Sequence, residues 1–283
     1  MTLILRTIPQ VRAWRKGLPA GTRLGFVPTM GALHEGHMSL VALSKAQADR
    51  TIASIFVNPL QFGPNEDLSR YPRPLENDLA LLEAAGVDAL FLPAVEDLYP
   101  KDASTFVVEE QVSLPLCGAF RPGHFRGVAT VVLKLFNIVA PDVAFFGQKD
   151  AQQCAVIARM VRDLDVPVEI VRGPTLREAD GLAMSSRNIY LSPEDRAAAP
   201  AIHRSLVAAE AAFAAGERDA KRLVAVGRTV LAGEPRLKEQ YWEARHPASL
   251  APLVTVGPEG ALLAVAAYLG TTRLIDNLVL GAG

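Results

Sequence analysis

The stretch "PTMGALHEGHMSL" (residues 28–40) sets His34 and His37 three residues apart, after a hydrophobic run that ends at Pro28 and on either side of Gly36. A helix start carries unpaired amide N–H groups and about half a positive charge, which makes it a seat for phosphate. Imidazoles three residues apart fall on one helix face, and each can donate a hydrogen bond to a phosphate oxygen without lysine's full charge. The spacing by itself is a weak signal, since two polar residues capping a turn explain it equally well. A metal site is disfavoured because no third ligand stands nearby at metal spacing.

Three further stretches carry groups of related use. "FFGQKDAQQ" (145–153) breaks an apolar run at Gly147, where a ligand can approach the backbone closely. Lys149 supplies a point charge for polyphosphate and Asp150 an acceptor for ribose hydroxyls. Gln153, one helical turn past Lys149, can face the same pocket. "GLAMSSRN" (181–188) offers Ser185, Ser186 and Arg187 as a mobile clamp, the guanidinium being able to grip phosphate bidentately. "VNPLQFGPNEDLSRYPR" (57–73) brings Asn58 and Gln61, whose amides can read both a hydroxyl and a carboxylate. Each has a plainer reading: Asp150 as a helix cap, the serine pair as polar surface, Asn58-Pro59 as the start of a turn.

The elements that must position these groups follow from periodicity. Short apolar runs at 23–28, 51–57, 88–93, 104–109, 142–146 and 166–171 predict strands. Apolar residues at three- and four-residue spacing predict helices over 38–48, 75–86, 127–139 and 151–162. Such alternation predicts an α/β fold, a doubly wound parallel sheet with crossover helices. Ligands of these sheets bind beyond the carboxyl ends of the strands, here after residues 28, 57 and 146, where three of the four stretches lie. Near residue 173 the pattern changes to a turn-rich linker and active loop. Helices over 194–215 and within 216–234, then strands over 261–269 and 272–280, predict a smaller α+β domain. The expected division is 1–174 and 175–283.

Composition narrows the function classes. At 283 residues and 50% hydrophobic, the chain can bury a sizeable core as one large or two ordinary domains. A formal charge of -1 argues against nucleic acid as a main partner. Two cysteines, Cys117 and Cys154, without CxxC spacing, suit a reducing cytoplasm better than a disulfide framework or a structural zinc site. Arg6 and the absence of a cleavage site make the first residues a poor signal peptide. The most apolar stretch, 127–147, is interrupted by Lys134, Pro141 and Asp142, so no membrane span is expected.

The histidine pair and the "MSSRN" loop resemble the HIGH and KMSKS-type motifs of the nucleotidylyltransferase superfamily. The resemblance narrows further. "PTMGALHEGH", "VNPLQFGPNEDLSRYPR", "RPGHFRGVATVVLKLFNIVAPD", "FGQKDAQQ", "EADGLAMSSRN" and "TRLIDN" run in order from residue 28 to 277 and resemble the pantothenate synthetase (pantoate–β-alanine ligase) family. The resemblance implies an ATP-dependent ligase of pantothenate and coenzyme A biosynthesis. ATP and (R)-pantoate would give pantoyl adenylate and pyrophosphate, and β-alanine would then displace AMP. It further implies that Met30, Gly31, Ala32, Leu33, His34, Glu35, Gly36 and His37 hold ATP, with His37 as proton donor and His34 and Lys149 as catalytic partners. Gly147, Gln148, Lys149 and Asp150 would hold ribose and phosphates, Leu176 would meet adenine, and Met184, Ser185, Ser186 and Arg187 would close over the phosphates. Gln61, Gln153 and Asn58 would bind pantoate, and Mg2+ would accompany ATP. The implied fold is a Rossmann-like domain with a smaller carboxy-terminal lid, usually a homodimer, in the cytoplasm. One departure is Arg245-His246, where the family more often carries a valine–aspartate pair; its position in the lid predicts an effect on packing or the dimer more than on chemistry. Two other readings share the phosphate groups: an enzyme moving AMP onto a phosphorylated small molecule, and a nucleotide-binding module without catalysis. The first would want more positive charge than the amides of 57–73 offer.

Overall fold

Strands joined by crossover helices fill the first 173 residues. In the computed structural model, which describes residues 1–64 and 66–281, they are β1 (Leu3–Leu5), α1 (Ile8–Lys16), β2 (Leu24–Thr29), α2 (Glu35–Gln47), β3 (Arg50–Ile55), α3 (Leu75–Ala84) and β4 (Ala89–Phe91). There follow α4 (Val95–Leu98), α5 (Cys117–Phe120), α6 (His124–Val139), β5 (Val143–Gly147), α7 (Ala151–Asp163) and β6 (Glu169–Gly173). Residue 65, within the 57–73 segment, and residues 282 and 283 lie outside that description. The six strands form one parallel sheet in the order β1-β4-β3-β2-β5-β6. From β2 the chain steps to β3 and β4 on one side, and later to β5 and β6 on the other. The winding therefore reverses between β2 and β5, and the loops at their carboxyl ends splay apart to leave a crevice.

The central strands are apolar on both faces because helices cover both. Phe26, Ala144 and Phe146 join the core that includes α6 and α7, whereas Val27, Val143 and Phe145 pack with Leu40 and Val41 of α2. The second unit comprises α8 (Pro193–Ala198), α9 (Ala201–Ala214), α10 (Ala220–Ala232), β7 (Leu237–Arg245), β8 (Ala261–Leu269) and β9 (Thr272–Leu280). Its strands form an antiparallel sheet with β8 in the centre. Leu263, Val265 and Ala267 face a core with Trp242, Leu206 and Leu223, while Leu262, Ala264 and Ala266 join the core of the first unit. The small sheet is thus sandwiched between its own helices and the parallel-sheet unit, which brings β9 up to the crevice. Cys117 and Cys154 are free and buried, and no helix among the described residues is long and apolar enough to cross a membrane.

The structure departs from periodicity at particular places. The helix expected over 194–215 is two helices, because Pro200 has no N–H to give and its ring cannot follow a regular turn. The strand expected at 166–171 starts only at Glu169, past Pro167, and runs on to Gly173. Residues 104–109, expected as a strand, belong to none: the Val107 N–H donates to Thr130 Oγ1 at 2.9 Å, and Phe106 and Val108 are exposed. Strand β7 escapes periodicity because its alternation shifts at an irregularity between Glu239 and Tyr241. Arg245 ends β7 in an ion pair with Glu243, and His246 Nε2 lies 2.6 Å from Glu259, so both departing residues serve local packing around the β7–β8 connection.

Candidate active site

The imidazole pair is set by the turn before it. Gly31 and Ala32 both adopt left-handed backbone, with φ of 81° and 51°. That turns the Ala32 and Leu33 amides toward the carboxylate of Asp78 on α3, which accepts from them at 2.9 and 2.7 Å. A Cβ at Gly31 would stand 3.0 Å from Asp78 Oδ2 and from Ile55, so backbone conformation and space both favour glycine. Burial raises the Asp78 carboxyl above its ordinary value, and the two amide bonds only partly offset this.

His34 caps α2. Its Nδ1 accepts from the Gly36 N–H at 3.1 Å, while His37 Nδ1 accepts from the His34 N–H at 3.4 Å, a reciprocal cap built from two histidines. The ring centroids are 4.1 Å apart. With each Nδ1 accepting, each ring carries its proton on Nε2. Both rings are also held neutral. Burial first, then Lys149, lowers His34 to about 4; burial, then His34 and Lys149, lowers His37 to about 3. The helix start therefore presents two neutral N–H donors beside a lysine.

Lys149 comes from the carboxyl end of β5, on a 3-10 turn (Gln148–Asp150) that leads into α7. Its Nζ lies 3.8 Å from the Asp150 carboxylate. Across the crevice, a second 3-10 turn (Pro59–Gln61) follows β3. Asn58 is buried, and its amide is already engaged: Nδ2 donates to Gln61 Oε1 and to Gly127 O, both at 3.1 Å, while Oδ1 accepts from Tyr99 Oη at 2.9 Å. Asn58 thus holds Gln61 in place. Helix α6 supports the same turn at close range, since a Cβ on Gly127 would meet Leu60 O at 2.3 Å. His124 Nδ1 donates to Gln61 O at 2.8 Å, and burial, then Arg121, lowers its imidazole to about 4.

The serine–arginine loop closes the other side. Arg187 forms a fork on Asp67 at 2.9 and 3.0 Å, Tyr71 Oη lies 3.2 Å from Ser186 Oγ, and Tyr190 Oη donates to Arg70 O at 2.9 Å. Burial would raise the Asp67 carboxyl, but its hydrogen bonds and charge pairing with Arg187 outweigh that and leave it below its ordinary value.

One cavity of about 220 Å³ is lined by Met30, His34, Gly36, His37, Asn58, Gln61, Gly147, Lys149, Asp150, Gln153, Leu176 and Met184 to Arg187. An adjoining cavity of about 320 Å³ shares Lys149, Asp150, Ser185 and Arg187 with it. The structure thus brings together most of the residues singled out in the sequence. The others support the wall or lie outside it: Gly31, Ala32 and Leu33 are buried in the turn, Glu35 is exposed, and Gln148 turns its amide to Asn277. Sequence reasoning misses Asp78, Asp67, Tyr71, Arg121, His124 and Asn277 as site residues. All act through partners at least 45 residues away along the chain, except the Arg121–His124 neighbours, whose shared target Gln61 is similarly distant. Short-range spacing carries no signal for such pairs.

Known proteins share this arrangement of sequence and fold. The family model described as Pantoate-beta-alanine ligase matches residues 3–279. A pantothenate synthetase of Acidobacterium capsulatum is 60% identical over 268 residues, covering 94% of this chain and 89% of the relative. One of Chloroflexus aggregans is 55% identical, covering 98% of this chain and 99% of its own. Among solved structures, a pantothenate synthetase of Thermus thermophilus superposes with a TM-score of 0.93 at 48% identity, covering 98% and 99% of the two chains. A Francisella tularensis pantoate-beta-alanine ligase, solved with beta-gamma ATP and beta-alanine, gives a TM-score of 0.81 at 34% identity, covering 100% of this chain and 99% of its own.

Proposed function

This chain belongs to the pantoate–β-alanine ligase family and is an enzyme, and from that premise we propose that it joins (R)-pantoate to β-alanine through a pantoyl adenylate, releasing pyrophosphate and then AMP. The observation that carries the proposal is the shared cavity: the imidazole pair after β2, Lys149 after β5 and the Ser185–Arg187 loop all line it, together with Gln61 and Gln153. A carboxylate is a poor electrophile, so it needs a good leaving group before an amine can displace it, and AMP serves. In the first step the pantoate carboxylate attacks the α-phosphorus while negative charge gathers on the departing pyrophosphate. His34 and His37, each with an Nε2–H and no charge of its own, donate to phosphate oxygens, and Lys149 balances the charge. Such groups need no reorientation as charge develops, because the backbone already fixes both rings.

Gln61 and Gln153 fit the hydroxy-acid end, with Asn58 as the strut behind Gln61. Leu176 fits adenine through its backbone, and Gly147, Asp150 and the Met184–Arg187 loop fit ribose and phosphates. Residues 1–174 are the ATP- and pantoate-binding unit in this reading, and 175–283 the lid that keeps water from the adenylate. Magnesium would accompany ATP as part of that substrate and offset phosphate charge. Among the described residues no group of three or more His, Cys, Asp or Glu is placed to hold a metal ion. The proposed setting is the cytoplasm. A homodimer is the proposed assembly, supported by exposed Phe106, Val108, Leu114 and Phe120 on the 104–120 segment. The test is pantoate-dependent return of labelled pyrophosphate into ATP. Exchange with pantoate and none without it is expected; exchange that ignores pantoate, or none under either condition, overturns the reading.

A further inference from the structure

The "TRLIDN" segment (272–277) lies in β9, in the second unit, yet it reaches the phosphate side of the crevice. Asn277 Nδ2 donates to Gln148 O and to Lys149 O, each at 2.9 Å, and its Oδ1 accepts from Gln148 Nε2 at 3.4 Å. Both ends of one amide are therefore taken up by the turn that carries Lys149. The preceding residue, Asp276, is buried and turned to a different partner. Arg177 donates to its Oδ2 at 2.6 Å and to its Oδ1 at 3.0 Å. Arg177 also donates to Gly181 O at 3.1 Å and bridges Ala183, and Met184 N–H donates to Leu176 O at 3.0 Å. These bonds form the stem from which the Ser185–Arg187 loop projects. Two consecutive residues of one strand thus fix the lysine turn and the root of the opposing loop in one frame.

We propose that Asn277 and Asp276 are positioning residues for the nucleotide site. They set the spacing between the Lys149 ammonium and the Ser185–Arg187 loop so that both meet one phosphate chain, an inference that rests on the ATP reading above. Neither touches substrate; each acts through a group that does. The strand suits this role because β8 and β9 are paired along their full length, which keeps the two side chains from drifting.

The test is Asn277→Asp, which keeps the size of the side chain but sets a carboxylate oxygen against two carbonyls that need a donor. A displacement of about 1 Å in a positioned group costs up to about a hundredfold in rate, so the pantoate-dependent exchange rate is expected to fall at least about thirtyfold, with the pantoate KM changed less than about twofold. Asn277→Gln, which retains the donor, should recover part of the loss. Exchange within about threefold of wild type in Asn277→Asp, or a pantoate KM that worsens as much as the rate, would overturn the proposal. Should Asn277→Asp not fold, Asn277→Ala is judged by the same criteria. If the wild-type protein itself shows no pantoate-dependent exchange, the functional reading fails, and the positioning role of Asn277 is decided by binding of a non-hydrolysable ATP analogue. An affinity at least about tenfold weaker in the variant supports it and unchanged affinity refutes it.

Discussion

The two jaws of the cleft are held by different means. At the imidazole jaw the left-handed turn at Gly31 and Ala32 aims two amides at Asp78, and each histidine accepts a backbone N–H from its neighbourhood. The ring orientations are therefore fixed largely by backbone. At the loop jaw, Arg187 and Ser186 are held by side chains across the cleft, Asp67 and Tyr71. Side-chain pairs of this kind can exchange partners. On the proposed function a phosphate oxygen competes with Asp67 for the Arg187 fork, so the loop can open and close while the imidazoles stay put. The difference teaches where the energy resides: preorganised donors where charge develops, exchangeable ones where substrate must enter and product leave.

Changes at the fixed jaw should therefore cost most. His37→Ala is expected to lower turnover by about a hundredfold or more, the scale for losing an electrostatic or acid–base group, with far-ultraviolet circular dichroism unchanged. Near-normal turnover would remove His37 from the chemistry. Asp78→Ala strands the Ala32 and Leu33 amides, each unpaired buried donor costing about 1–3 kcal/mol, so denaturant unfolding should shift to lower concentration together with a loss of turnover. Unaltered stability would mean that the turn does not depend on that carboxylate. At the exchangeable jaw, Tyr71→Phe removes one bond to Ser186, worth about 0.5–1.5 kcal/mol, and should raise the ATP KM by about two- to tenfold with stability lowered by no more than that amount. A loss as large as that from His37→Ala would erase the distinction between the jaws.

A separate effect falls on stability against pH rather than on rate. His34 and His37 titrate at about 4 and about 3 when folded, against 6.5 ordinarily. Below pH 6.5 the unfolded chain binds protons that the folded chain refuses. The stability contributed is present in full above that pH and is lost as pH falls through about 4 and then about 3. Thermal melts from about pH 7 to about pH 4 should decline more steeply for wild type than for a His34→Asn, His37→Asn double variant. Parallel declines would show that the rings are not held neutral.

Much of this is legible in the sequence because it is local. An apolar run ending in Pro28, then Gly31 and two histidines, states a strand, a turn and a helix start within a dozen residues. Lys149 after Gly147 states the same for β5, and the alternation of periods states the doubly wound sheet. What escapes is set by distance. Asp78 reaches Leu33 over 45 residues and Asn277 reaches Lys149 over 128, and a single sequence pairs no such positions. Residues 104–109 show the converse error: their side chains favour an extended chain, but a strand also needs a neighbour. Asn58 lines the cavity as its amide suggests, and its bonds to Gly127 and Tyr99, made over long stretches of chain, are what local spacing leaves unannounced.

The most direct measurement is a crystal structure with a non-hydrolysable ATP analogue and pantoate. The account predicts phosphate oxygens within about 3.2 Å of an imidazole Nε2, of Lys149 Nζ and of the Ser185–Arg187 loop at once, with the pantoate carboxylate in line with the α-phosphorus. A triphosphate lodged in the adjoining cavity, away from both histidines, would contradict it.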